Sequence, residues 1–343
     1  MLFQEHIPLA PHTTFRVGGP ARWFAQARTE DDILEGVAFA KEHGLPLFVL
    51  GGGSNLLVSD AGFPGLVLHI DLKGITLGED GLLSAAAGEE WDQLVSQVVA
   101  ANCAGVECLA GIPGSVGGTP VQNVGAYGQE VSQTILEVRA LDSKMGAFVD
   151  LPASACGFSY RQSIFNHGSE RGRYIVTQVV YELRRDAEPL LSYADLKRYF
   201  QDWRKPPGLG EVAAAVREIR RAKGMLLVEG DPDCASAGSF FKNPVVAEEV
   251  LLRAQQVATE SPVPHFAAGD GLVKVPAAWL LEHAGFHRGL SLGRAGISSR
   301  HTLALINSGG ATAAEIAALR DQIVSGVEQR FGIRLEPEPV WVG

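Results

Sequence analysis

Apolar residues recur at helical spacing through Trp91, Leu94, Val95 and Val98, which predicts a helix over 89–103. A second helix is expected over 29–44. Thr29 can cap it with Asp32 as partner, acids fill its first turn and Gly44 closes it. Short apolar runs at 45–50, 65–71 and 81–87 read as strands, and 135–142 and 174–185 are rich in strand formers. Strands with few helices in this half indicate α+β and not an evenly alternating doubly wound sheet.

Composition shifts at Lys205-Pro206-Pro207-Gly208, a natural boundary. Beyond it, helices are predicted over 210–223, 247–257, 277–285 and 312–331. The last opens on a capping box, Thr312 with Glu315, and stops at Gly332. The tail 333–342 reads as a strand interrupted by Pro337 and Pro339. The division expected is 1–205 (parts 1–72 and 73–205), then 206–332, then the C-terminal strand 333–343.

The 343 residues are 46% hydrophobic and 20% charged, enough for a sizeable core and unlike a disordered chain. The net charge of −10 disfavours a phosphate backbone as partner, so no nucleic-acid binding is expected. An anionic ligand must be held by local groups. Cys103, Cys108, Cys156 and Cys234 form no C-x-x-C pair and read as buried or idle thiols in a reducing cytosol. The histidines show no ligand spacing, so no metal is expected. No apolar run is long enough for a bilayer, and residues 1–20 carry His6, His12 and Arg16 but no leader-like stretch.

Glycine changes the picture. Forty glycines concentrate in two places. One is Gly51-Gly52-Gly53-Ser54-Asn55, directly after a predicted strand. The other is 111–128, which includes Gly111-Ile112-Pro113-Gly114-Ser115 and Gly118 and carries no charged side chain. Such loops let successive N–H groups face one concavity and bind a diphosphate without cations, and prolines keep them stiff. Neither is a Rossmann fingerprint or a P-loop. Each alone also reads as a tight turn; together they suggest a dinucleotide across a loop-built cleft.

Reactive side chains stand at 159–163, 237–244 and 335–339. Taken singly, Arg161 also reads as a surface ion pair, Ser239 as a turn residue and Glu338 as a solvated edge charge. Together with the loops, these segments resemble the UDP-N-acetylenolpyruvoylglucosamine reductase family. The resemblance runs from Thr13-Thr14-Phe15-Arg16-Val17-Gly18-Gly19 to Glu336-Pro337-Glu338, and its most specific parts are 50–57, 112–128, 160–165 and 237–244.

The resemblance implies a flavin domain of the vanillyl-alcohol-oxidase (PCMH) type in two subdomains, then a separate α+β substrate domain. It implies FAD on the two glycine loops, with Asn123, Gly125, Ala126 and Ile175 also on the cofactor. NADPH would be the co-substrate and a UDP-sugar the substrate, in bacterial cell-wall synthesis in the cytoplasm, by a monomer. Hydride would pass to the enolpyruvyl carbon, Arg161 and Glu338 would stabilise the charge that develops, and Ser239 would deliver the proton. Tyr127, Tyr160, Tyr193, Lys223 and Asn243 would line the substrate site, with Tyr193 as the lid residue of the family's first structural type. The stretch between Lys223 and Ala237 is longer than in lid-bearing members. The alternative is another FAD-dependent oxidase or dehydrogenase on the same flavin domain. Many of these tether flavin through a histidine in the first loop; none is present here, so FAD is expected to be non-covalent.

Overall fold

Helix α1 (Glu30–Glu42) begins where its polar residues dictate: Thr29 Oγ1 accepts from Asp32 N at 3.1 Å, and the Asp32 carboxylate accepts from Thr29 N at 2.9 Å. The computed structural model describes residues 1–258 and 261–343. By its contacts the chain forms two units. The first is Met1–Ile7, Ala21–Gly53 and Pro64–Arg221; the second is Pro8–Pro20, Ser54–Phe63 and Ala222–Gly343.

In the first unit α1 buries Ile33 and Ala40, and a Cβ on Gly36 would stand 2.9 Å from a methyl of Leu68. Leu68 belongs to a four-stranded sheet ordered Gln4–Pro8, Pro20–Ala27, Phe63–Ile70, Leu47–Leu50, whose last pair is parallel. A five-stranded antiparallel sheet follows in the order Ala147–Pro152, Ile135–Asp142, Tyr174–Glu182, Leu82–Ala86, Ile75–Leu77. Helix α2 (Trp91–Ala100) buries all four residues of its apolar stripe, each worth roughly 1.5–3 kcal/mol. Trp91 Nε1 donates to Leu109 O, so its one polar atom is satisfied. The short α3 (Ala194–Tyr199) and α4 (Leu209–Ala222) complete this core, to which α4 contributes Val212, Ala213, Ala215 and Val216.

The second unit carries two three-stranded sheets, α5 (Glu248–Val257), α6 (Ala277–His283) and the long α7 (Ala313–Phe331). Helix α7 has the expected capping box and closes on Gly332 at φ 67°. The Asp60 carboxylate accepts from Ala313 N and Ala314 N, adding an anion at its positive end.

Two boundaries differ from the consecutive reading. The first unit extends to Arg221, because α4 buries its apolar face in that core. The second takes Pro8–Pro20 and Ser54–Phe63, because Phe15, Val17 and Leu57 belong to its core and Leu56–Val58 pairs in parallel with Val340–Val342. Strand structure in the tail is confined to Val340–Val342, since Pro337 and Pro339 offer no N–H to a ladder. All four cysteines are free and buried, and burial pushes the Cys108 thiol up to about 12 and Cys156 to about 11.

One ion pair makes a pH prediction. Arg173 donates to both oxygens of Asp142, at 2.9 and 2.6 Å, and the main-chain N–H groups of Lys144 and Met145 add to it. These bonds, the guanidinium first, hold Asp142 down to about 2. The stability it contributes is complete above about pH 4 and is lost as pH falls towards 2. Acid unfolding of Asp142→Asn should have a shallower limb in that window, read by circular dichroism against pH; an unaltered limb would contradict the assignment.

Candidate active site

The two glycine loops, about sixty residues apart in sequence, meet in the first unit. A Cβ on Gly52 would lie 2.6 Å from Gly114 Cα, and one on Gly51 would lie 2.6 Å from Ser115 Oγ. Only glycine allows the two backbones this close. The second loop is strapped down at both ends: Trp91 N donates to Gly114 O, Val116 N to Glu89 O, Gly117 N to Ala87 O and Gly111 N to the Asp92 carboxylate. Gly118 N closes a short turn on Ser115 O. The amides of Gly52, Gly53, Gly114 and Ser115 donate to no protein acceptor among the described residues. Ile112 and Pro113 form the stiff, half-buried link. Four unengaged amides on two apposed turns suit a diphosphate.

Beneath this loop lies a charge that the sequence did not single out. Arg220 on α4 is buried, and its Nε donates to Gly111 O at 3.0 Å. Loss of water pushes its pKa down, against the fields of Tyr127 and Asp92. Asp92 is itself paired with Arg217 at 2.6 Å. Arg220 looked like any helix arginine in Arg217-Glu218-Ile219-Arg220-Arg221; only the burial of that helix face reveals it.

Three residues expected at the site share a left-handed backbone: Asn123 (φ 44°), Tyr127 (φ 49°) and Arg161 (φ 58°). Non-glycine residues hold this conformation only when their surroundings impose it. Gly125–Ala126 and Gln129–Glu130 form a hairpin whose two-residue turn is Tyr127-Gly128, both at positive φ. Asn123 is buried and committed to protein: its amide donates to Glu130 and to Ser159 O, and its oxygen accepts from Ser132 N. It holds the loop in shape. Ser159 and Gln162 exchange main-chain bonds across Tyr160 and Arg161, and Arg161 Nη2 donates to Gly125 O at 2.9 Å. Its guanidinium lies 5.5 Å from the Tyr160 ring centroid. Tyr193, the residue before α3, meets Tyr127 edge-on at 5.4 Å. Ile175 is buried in its sheet strand, paired with Leu141.

The second unit holds the remaining expected residues. Glu338 N donates to Phe240 O, Lys242 N to Glu336 O, and Phe241 pairs antiparallel with Pro337. That register brings the Ser239 and Glu338 segments side by side. Ser239 is half-buried, and its hydroxyl makes no hydrogen bond among the described residues. Asn55 Nδ2 donates to Glu338 O and Asn55 O accepts from Val340 N, so Asn55 braces the acid's segment; Ser54 O accepts from Thr14 Oγ1. Asn243 Oδ1 accepts from Ala277 N and so caps α6. The long stretch 224–236 is clamped: Arg300 donates to both Asp231 oxygens and, at 2.8 Å, to Asp233. Lys223 faces His301, whose imidazole is lowered to about 4 by burial first and this ammonium second. His301 Nδ1 accepts from Leu303 N, so the neutral ring carries its proton on Nε2. No motif marks His301 in the sequence.

Residues 21–151 match the FAD binding domain family, and residues 231–342 match the family described as UDP-N-acetylenolpyruvoylglucosamine reductase, C-terminal domain. The UDP-N-acetylenolpyruvoylglucosamine reductase of Thermobifida fusca is 44% identical over 99% of this chain and 98% of its own length. That of Streptomyces coelicolor is 46% identical over 98% and 89%. The chain belongs to the UDP-N-acetylenolpyruvoylglucosamine reductase family. The crystal structure of the Thermus caldophilus reductase superposes with a TM-score of 0.67 at 27% identity, each chain covered completely. The protein is therefore an FAD-dependent oxidoreductase that reduces the enolpyruvyl group of a UDP-N-acetylglucosamine enolpyruvyl ether, with NADPH as co-substrate, in peptidoglycan synthesis. The C-terminal domain match and the relatives' identity decide against the alternative of another FAD-dependent oxidase or dehydrogenase on the same flavin domain. No helix among the described residues is long and apolar enough to cross a membrane.

The apposed glycines make the first site prediction. Gly52→Ala forces the loops apart by its clash with Gly114 and should yield folded protein purified without flavin, with FAD affinity down at least about 100-fold. Absorbance near the flavin bands and a near-normal melting curve check it; full flavin occupancy would contradict the loop assignment.

Proposed function

We propose that Arg161, Ser239 and Glu338 carry the reduction, with FAD seated on the amides of Gly52, Gly53, Gly114 and Ser115. Bound FAD supplies the hydride that NADPH provides. As the enolpyruvyl double bond accepts hydride at its terminal carbon, negative charge grows on the neighbouring carbon and its carboxylate. Arg161, held by Gly125 O and backed by Tyr160, meets that carboxylate with a planar fork. Ser239 gives its proton to the carbanion carbon, and Phe240 and Phe241, both buried, keep water from the same position. Glu338 hydrogen-bonds the enolic oxygens as charge builds.

The observation that carries this reading is the main-chain pairing of Glu338 with Phe240, which joins the proton donor's segment to the acid's. Asn55 then ties the end of the first glycine loop to that acid's backbone. Lys223, beside a neutral His301, suits the UDP diphosphate, and Tyr127, Tyr160, Tyr193 and Asn243 suit the sugar and uridine. A UDP-sugar and NADPH as reactants support a cytoplasmic setting.

Ser239→Ala should leave flavin bleaching by NADPH within about twofold of normal while turnover of the enolpyruvyl sugar falls by at least about 1,000-fold. Equal loss in both half-reactions would refute the donor role. Arg161→Lys should not restore turnover, because a point charge replaces a fork and loses the bond to Gly125 O. Steady-state kcat decides it; a value near wild type would refute the carboxylate clamp.

A further inference from the structure

One buried carboxylate of the first unit has no place in the chemistry above. Glu107 is 0% exposed, and among the described residues no cation pairs with it. A buried anion without a counter-charge persists only where N–H donors replace its water. Three do. Its Oε2 accepts from Gly105 N at 2.7 Å, and its Oε1 accepts from Gln129 Nε2 at 2.8 Å and from Leu190 N at 3.2 Å.

These donors come from three parts of the chain. Gly105 lies two residues back, Gln129 stands in the hairpin opposite Ala126, and Leu190 lies three residues before Tyr193. Gln129 is buried, and its amide is used at both ends, since its Oε1 accepts from Cys108 N at 2.8 Å. Leu190 is also held twice: the Cys108 thiol, whose proton burial retains, donates to its carbonyl at 3.5 Å. Past Leu190 the chain runs against the turn of the hairpin. A Cβ on Gly128 would overlap Ser192 Oγ, and Tyr193 meets Tyr127 edge-on at 5.4 Å. Tyr193 is itself 45% exposed, so little packing of its own fixes its place.

We propose that Glu107 is a positioning residue for the substrate site. One carboxylate holds Gln129 and Leu190 together, fixes Tyr193 against Tyr127, and so sets substrate affinity and not the chemistry of either half-reaction. The proposal rests on the reading above of Tyr193 as a substrate contact. The role needs a group that only accepts: a glutamine of the same size would turn an N–H towards one of the donors.

The test uses the flavin-loaded enzyme, with Glu107→Gln alone and together with Gln129→Glu. In the double variant the amide at 107 keeps its carbonyl for Gly105 N and gives an N–H to the carboxylate at 129. That carboxylate still accepts from Cys108 N, and only Leu190 N is left facing a donor. Reoxidation of the NADPH-reduced flavin by the enolpyruvyl UDP-sugar is followed anaerobically. Both variants should raise half-saturation for the sugar about tenfold, with limiting rates of bleaching and reoxidation within about twofold of wild type. Tyr193→Ala should raise half-saturation as well, and adding the double variant to it should raise it no further. A double variant that keeps normal half-saturation, multiplies the effect of Tyr193→Ala, slows both half-reactions equally or fails to fold overturns the proposal. Unaltered half-saturation in Tyr193→Ala overturns the reading of Tyr193, and the proposal with it.

Discussion

Everything at the cofactor end depends on two main chains touching where side chains would ordinarily keep them apart. Gly51 and Gly52 lie against Gly114 and Ser115 so closely that one added methyl group at position 52 would overlap the opposite Cα. The contact turns two ordinary turns into one concavity lined by N–H groups. Such a concavity suits a dianionic group in an acidic protein: the donors are neutral, fixed and close, so the overall field matters little. The remaining charge is placed below the seat, where Arg220 grips Gly111 O and Asp92 grips Gly111 N.

From that contact the first unit builds outward by imposed conformation. Asn123 spends its whole amide on Glu130, Ser159 and Ser132, and so sets the path on which Gly125, Tyr127 and Arg161 are carried. Left-handed backbone at Asn123, Tyr127 and Arg161 costs of order 1–3 kcal/mol each, offset by the packed sheet behind them. The second unit works differently. There a short, proline-interrupted ladder, Phe240 to Glu338 and Lys242 to Glu336, aligns a hydroxyl segment with an acid segment, and Arg300 immobilises the stretch that leads into them.

Much of this was legible in the sequence because the signals were local. The caps at Thr29 and Thr312, the stripe Trp91, Leu94, Val95, Val98 and the strand 135–142 are decided by neighbours within a few residues, and the structure has them with ends shifted by at most three residues. The glycine loops stood out in the sequence, though only the fold shows that they touch. What was not legible is non-local. Pro8–Pro20 and Ser54–Phe63 join the second unit through Phe15, Val17 and Leu57, which carry no mark of their distant core. Arg220 and His301 are ordinary letters until burial changes their electrostatics. Nor do the letters show that Asn123, Asn55 and Asn243, expected as ligand contacts, also bond protein groups through their side-chain amides.

The most direct test of the central claim is a visible absorption spectrum of the purified chain taken through both half-reactions under anaerobic conditions. A neutral, backbone-built seat for FAD serving enolpyruvyl reduction predicts flavin bands that denaturation releases completely, bleaching on addition of NADPH, and stoichiometric recovery on addition of the enolpyruvyl UDP-sugar alone. A colourless protein that takes up no FAD, or a bleached flavin that the enolpyruvyl UDP-sugar leaves unchanged, would contradict it.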